Sequence, residues 1–323
     1  KGLNYIACFL TMECNLNCSY CINDPKQRGD RRALFTGRRD LPPSDWIAML
    51  RRLPQSDDMP ITLQGGEPMF YAGGLGAGEI IQGVDHYFDM LTNFALKPEK
   101  FGRSLGSSAW KLQRGRILKI PHQSVRVSYH PEEMNRVWRT GIDELIRRCE
   151  GLREFGFAVA REKESSDIAI YMVAHPDNKA PQIEADVYFV EKPFLGVHEG
   201  VLHGEYLYPH SINLVSSGLH DKTLSCECRT TELLIDPLGN VWDCHYHLYQ
   251  NWLGAKGYTP LGNLLDPLFN LGGIRAFHPC NDYGACIGCD TKIKNNRFQD
   301  LQYRKIGHTA VEIRNISWPK GLP

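Results

Sequence analysis

The sequence predicts an α/β fold built on a parallel sheet and followed by a small cysteine-rich domain. Three observations carry this. Short apolar runs alternate with segments of helical period, the rhythm of successive βα units. Nine of the eleven cysteines fall in two tight groups, three between Cys14 and Cys21 and six between Cys226 and Cys289. Past Asp221 the periodicity fades as cysteine density rises, which divides the chain into residues 1–220 and 221–323.

Taken in order, residues 4–10 read as a buried strand ending at Thr11. Residues 44–53 have helical spacing, with Ser44 or Asp45 as the N-cap. Residues 61–63 are a short strand running into Gly65 and Gly66, and residues 79–94 read as one helix. Residues 125–128 alternate as a strand and residues 168–173 read as another strand, separated by a helix over 141–155 with Gly156 as its C-cap. Residues 95–120 have no clear period, and residues 204–209 are a candidate last strand of the first domain. That makes five or six βα units before residue 220. Residues 233–235 and 241–242 form a hairpin about a turn from Asp236 to Gly239.

Composition excludes several classes. With 37 Lys and Arg against 37 Asp and Glu, the balanced charge gives no pull toward nucleic acid or an anionic membrane. There is no apolar run of about 18 residues that would span a bilayer, and the first residues do not read as a signal peptide. An odd number of clustered cysteines argues against a secreted disulfide scaffold and for metal or iron–sulfur ligation in the reducing cytoplasm.

Cys14, Cys18 and Cys21 stand as C-x3-C-x2-C. Three thiolates can hold three irons of a [4Fe–4S] cluster and leave the fourth open to a ligand. Zinc remains an alternative, with a distant His or Cys completing four ligands. One βα unit later Gly65, Gly66, Glu67 and Pro68 end a strand, on the side where barrel active sites are built. The glycines allow close backbone approach, and a carboxylate beside them can take an ammonium group.

Residues 11–21 with Gly65–Gly66–Glu67–Pro68 resemble the radical S-adenosylmethionine (SAM) superfamily. The resemblance implies a partial (β/α)6 TIM-like barrel. It implies that Cys14, Cys18 and Cys21 bind a [4Fe–4S] cluster, and that Gly65, Gly66, Glu67 and Pro68 meet the methionine end of S-adenosylmethionine. Tyr20 is expected near the adenine and Ser128 near the ribose. The activity implied is reductive cleavage of SAM to a 5′-deoxyadenosyl radical that takes hydrogen from a substrate.

In the second group, Cys228, Cys244, Cys286 and Cys289 resemble the SPASM and twitch domains that follow some of these barrels. The resemblance implies one auxiliary [4Fe–4S] cluster, with Cys226 and Cys280 left over and able to replace a ligand. A structural zinc ribbon is the alternative. His245 and His247 flank Cys244. Cys8 and Cys149 stand alone and read as ordinary buried residues.

The implied partners are a peptide or small-molecule substrate and a reductase- or flavodoxin-type electron donor, with no nucleic acid and no membrane. Oxidative modification of a peptide or protein side chain is the first expectation and oxidation of a small molecule the second. Peptide modifiers often carry a leader-recognition domain, which the sequence, opening at its first strand, is expected to lack. An RNA-modifying enzyme would want a basic appended domain, and a non-catalytic zinc protein would hold no iron. Tyr129, His130 and His175, at the ends of two strands, are candidates for substrate contact or proton transfer. Six basic residues in 26–39 read as a solvated loop, or as a docking patch for an acidic partner.

Overall fold

The computed structural model describes residues 5–18, 20–21, 40–54, 60–117, 122–138, 141–194, 196–199, 201–203, 226–230, 232–252, 254–272, 278–280 and 311–315. The chain divides into two compact units. One comprises Ala7–Pro193 and Ile235–Gly239, the other Lys1–Ile6, Phe194–Leu234 and Asn240–Pro323.

The first unit is built on six strands in the spatial order β1-β2-β3-β4-β5-β6. They are β1 (Tyr5–Thr11), β2 (Ile61–Gly65), β3 (Phe88–Thr92), β4 (Val125–Tyr129), β5 (Ile168–Ala174) and β6 (Tyr188–Pro193). From β2 to β6 every neighbouring pair is parallel. All seven residues of β1 are buried, as its near-continuous apolar run requires of a strand covered on both faces. Helices α1 (Pro43–Leu50), α2 (Gly76–Gly83), α3 (Pro98–Leu105), α4 (Pro131–Val137) and α5 (Ile142–Gly151) follow the first four strands. Residues 175–187, between β5 and β6, hold no helix.

Two sequence expectations need correction. Helix α1 begins two residues earlier than Ser44, and three earlier than Asp45, would place it as N-cap. Its N-cap is Pro42, and Pro43 opens the first turn, where a missing N–H costs nothing. The single helix expected over 79–94 is two elements. Helix α2 stops at Gly83 because Val84 is extended. Phe88, Met90 and Thr92 then alternate with Asp89 and Leu91 as a strand paired to β2 and β4. The unassigned stretch 95–120 holds α3 and two 3-10 turns, Gly106–Leu112 and Arg114–Ile117. The helix expected over 141–155 is α5 plus a final 3-10 turn, closed by Gly156 at φ +82°.

The sheet has two unlike faces. Ile61, Leu63, Phe88, Met90, Val125, Val127, Ile168, Ile170 and Met172 share one face, all buried and apolar. The other face carries Thr62, Gln64, Asp89, Arg126, Ser128, Tyr171 and Lys192, and is half-open toward the C-terminal strand ends. Asp89 is fully buried there, and its Oδ2 accepts from Arg126 Nη2 at 2.8 Å, with His122 Nε2 3.7 Å away. Burial opposes its charge, but Arg126 and His122 outweigh that and hold its pKa below the usual carboxylate range. Arg126→Met strands this carboxylate. The expected loss is about 3–5 kcal/mol in urea unfolding. Recovery of part of it by Asp89→Leu in the same chain is also expected, and a single variant as stable as wild type contradicts the pairing.

The second unit contains the antiparallel pair β7 (Gly196–His198) and β8 (Val201–His203). Strand β9 (Cys226–Thr230) lies between β13 (His278–Cys280) and β14 (Val311–Asn315), with Cys226 and Cys280 at paired positions. Strands β10 (Glu232–Ile235), β11 (Asn240–Trp242) and β12 (Gly262–Asn263) neighbour one another in that order. The turn expected between β10 and β11 is present: Gly239, at φ +81°, donates its N–H to Asp236 O at 2.9 Å. Helix α6 (His245–Trp252) follows β11. Residues 204–209, the candidate last strand, lie outside the described residues.

Candidate functional site

The cysteine loop leaves the C-terminal end of β1 and lies against the loop that leaves β2. Gly66 N–H donates to Thr11 O at 2.8 Å, and Glu67 N–H donates to Glu13 O at 2.7 Å. Only glycine permits this approach. A Cβ on Gly65 would stand 2.1 Å from Thr11 O, and one on Gly66 2.1 Å from Glu13 O. Gly65 also sits at φ +141°, outside the range that residues with a side chain favour.

Glu67 is fully buried, and the protein itself uses its carboxylate. Oε1 accepts from Met69 N–H at 2.9 Å and Thr92 Oγ1 at 2.5 Å, while Oε2 accepts from Asn93 N–H at 2.5 Å. Phe94 N–H donates to Thr92 Oγ1 at 2.8 Å, which leaves the threonine hydroxyl proton for Glu67. Burial nevertheless pushes the Glu67 pKa up to about 7. The carboxylate therefore ties the Gly65–Gly66 loop to the end of β3. It is not presented openly to a ligand's ammonium, as the sequence suggested.

Asn93, just past β3, reaches the cysteine loop. Its Nδ2 donates to Asn15 Oδ1 at 2.7 Å and to Cys14 Sγ at 3.4 Å. Leu16 N–H also donates to Cys14 Sγ at 3.4 Å. From α4, the buried Glu133 accepts Asn17 N–H at 2.8 Å and pairs with Arg136 at 2.7 Å. Further round the strand ends, the Tyr20 hydroxyl lies 3.1 Å from His130 Nδ1 and accepts from Asn178 Nδ2 at 3.3 Å. The Tyr20 ring stacks on His175 with centroids 5.1 Å apart. Desolvation raises the pKa of Tyr20 and lowers that of His130 to about 4, so His130 is neutral at pH 7.

Cys14, Cys18, Cys21, Tyr20, Gly65, Gly66, Glu67, His130 and His175 thus meet at the C-terminal ends of the strands, where open α/β sheets bind ligands. Pro68 is buried at the start of a 3-10 turn, and Ser128 stands on the half-open face of β4 in register with Tyr171. The donor set fits an iron–sulfur cluster. Two N–H groups aimed at Cys14 Sγ favour a thiolate.

In the second unit, Cys244 is half-buried just before α6 and accepts His247 N–H at 3.4 Å. Asp243 Oδ1 and His247 Nδ1 are 2.9 Å apart, and the donors of Asp243, Cys244 and His247 lie within 4.8 Å of one another. His245 is buried, 3.8 Å from Glu232. Only the backbone of Cys226, Cys228 and Cys280 is described, and Cys286 and Cys289 lie outside the described residues. Cys8 and Cys149 are fully buried, and burial raises both thiol pKa values.

No family model matches the chain, and no curated protein matches it. The solved structures it resembles include SuiB and anSMEcpe. Streptococcus suis SuiB bound to precursor peptide SuiA aligns over 86% of this chain and 67% of that one, at 15% identity and a TM-score of 0.44. SuiB bound to S-adenosylmethionine aligns over 85% and 68%, at 15% identity and a TM-score of 0.42. Native anSMEcpe with bound AdoMet and the Kp18Cys peptide aligns over 81% and 78%, at 14% identity and a TM-score of 0.41. These are remote likenesses, and the reading of the site rests on its own geometry.

Sequence reasoning did not single out Thr92, Asn93 or Glu133. The first two were hidden because 79–94 read as one helix, so no strand end stood at Thr92. Glu133 stands three residues past His130 in the sequence, and nothing in the spacing tied it to Asn17.

Proposed function

We propose that this chain is a radical SAM enzyme. Residues 1–220 form a partial (β/α)6 barrel core, and residues 221–323 form a SPASM- or twitch-like auxiliary domain. The observation that carries the reading is the joining of the cysteine loop to the Gly65–Gly66 loop by two backbone hydrogen bonds. It packs the backbone just before Cys14 against the glycine pair, in space that a side chain would fill.

Cys14, Cys18 and Cys21 would hold a [4Fe–4S] cluster. Gly65 and Gly66 would meet the amino-acid end of S-adenosylmethionine through their backbone. Glu67 and Pro68 would fix that loop, Tyr20 would lie beside the adenine, and Ser128 beside the ribose. The chemistry such a cluster supplies is one electron that cleaves the SAM sulfonium bond to a 5′-deoxyadenosyl radical, which removes hydrogen from the substrate. Neutral His130 holds the Tyr20 hydroxyl, and Glu133 holds Asn17, so the cysteine loop need not order itself during reaction.

Cys228, Cys244, Cys286 and Cys289 would hold an auxiliary [4Fe–4S] cluster that binds substrate or removes an electron. The substrate class proposed is a peptide or protein side chain, oxidised in the cytoplasm with electrons from a reductase- or flavodoxin-type donor. Oxidation of a small molecule is the alternative, separated by a substrate screen. The basic reading is tested with anaerobically reconstituted chain, dithionite and SAM. 5′-Deoxyadenosine is expected from wild type and none from Cys14/Cys18/Cys21→Ala. A fully iron-loaded wild type that forms none contradicts the proposal.

A further inference from the structure

Asn93 is held in place by more structure than its position in a loop requires. Its backbone N–H is bound by buried Glu67, and its side-chain NH2 uses both hydrogens on the cysteine loop, one toward Cys14 Sγ. Its Oδ1 is buried and has no hydrogen-bond partner among the described residues. The next residue, Phe94, has φ +58°, an unfavourable conformation for a bulky side chain. That turn is braced from behind. Arg148 Nη1 donates to Phe94 O, Ala95 O and Leu96 O at 3.0, 2.9 and 3.2 Å. Arg148 is itself fixed by Glu144 at 2.8 Å and by stacking over Trp138 at 4.4 Å. A strained turn and an unsatisfied buried oxygen are retained where the surrounding structure over-determines them for a purpose.

We infer that Asn93 is a positioning residue that sets the reduction potential and the retention of the cluster on Cys14, with Arg148 as its brace. This rests on the cluster reading above. An N–H donated to a ligating thiolate withdraws electron density from the iron it serves and so raises the potential of the cluster; by fixing the orientation of that thiolate it also helps to retain the cluster. The Asn93 side chain also keeps Asn15, next to Cys14, from swinging out. The same residue couples the cysteine loop to Glu67, so the two halves of the site keep their spacing.

The test uses the full chain, reconstituted anaerobically, as wild type, Asn93→Leu, Asn93→Asp and Arg148→Met. All are made in a chain carrying Cys228→Ala and Cys244→Ala, so that one cluster is followed. The readouts are EPR-monitored midpoint potential and the rate of iron loss to a chelator. Asn93→Leu removes both N–H donors without adding charge. It is expected to move the midpoint to more negative potential and to speed iron loss about 10- to 100-fold. Asn93→Asp, close to isosteric, is expected to shift both the same way and further, because a carboxylate then faces a thiolate. Arg148→Met is expected to give a smaller shift of the same sign. Unchanged potential and iron loss in both Asn93 variants, whatever their melting temperatures, overturn the inference and leave the cluster reading standing. A wild type holding zinc and no sulfide removes both.

Discussion

Gly66→Ala is expected to lower 5′-deoxyadenosine formation at least about 100-fold while leaving the fold intact. The new Cβ would lie 2.1 Å from Glu13 O, 2.5 Å from Met12 O and 2.6 Å from Glu13 C. All three are backbone atoms, so no side chain can rotate aside. The loops must part by about an ångström or more, which breaks the 2.7 Å bond from Glu67 N–H to Glu13 O. A displacement of that size between groups that must act together costs about 100-fold in rate. Overpacking elsewhere costs about 1–3 kcal/mol, small enough for the chain to stay folded. Iron content, SAM-dependent product and thermal unfolding measured together separate the two effects. Wild-type turnover in the alanine variant contradicts the role given to the contact between the loops.

Glu67→Gln comes second. The amide oxygen can replace one carboxylate oxygen, but its NH2 must then face an N–H of Met69 or Asn93, or the Thr92 hydroxyl. A buried donor set against a donor costs about 1–3 kcal/mol. The size of the effect changes with pH. Glu67 has its folded pKa raised from 4.5 to about 7. Below the unfolded value both states are protonated and nothing is lost. Between 4.5 and about 7 the unfolded chain ionises and the folded chain resists, so wild-type stability falls as pH rises and levels off above 7. A shift of this size corresponds to about 3 kcal/mol, most of it lost between pH 4.5 and about 7. Glutamine has no such titration. Wild type should therefore lead the variant most at pH 5 and least at pH 8 in urea unfolding, and a lead that grows with pH contradicts the assignment.

The parts of this site that sequence made legible are those carried by local pattern. C-x3-C-x2-C and Gly–Gly–Glu–Pro are contiguous, and the strand before each is marked by an apolar run. The alternation at 125–128 and the apolar run at 168–173 located β4 and β5, and with them the strand ends that carry His130 and His175. Long-range partners were not legible. Asn93 matters because β3 lies beside β2 and ends level with it, and the strand itself was masked by a helix-like apolar spacing over 79–94. Glu67 read as an open carboxylate because the motif does not reveal that Thr92 and Asn93 close over it. Pro42 and Pro43 show the same limit on a smaller scale: Ser44 and Asp45 are better N-caps by type, yet the chain turns into the helix at Pro42, two residues before Ser44.

The most direct test of the central claim is iron and acid-labile sulfide content after anaerobic reconstitution, in wild type and in Cys14/Cys18/Cys21→Ala. Two cubane clusters predict about eight irons per chain, falling to about four in the variant with sulfide falling in step. Zinc without sulfide, or iron unchanged by loss of the three cysteines, contradicts it.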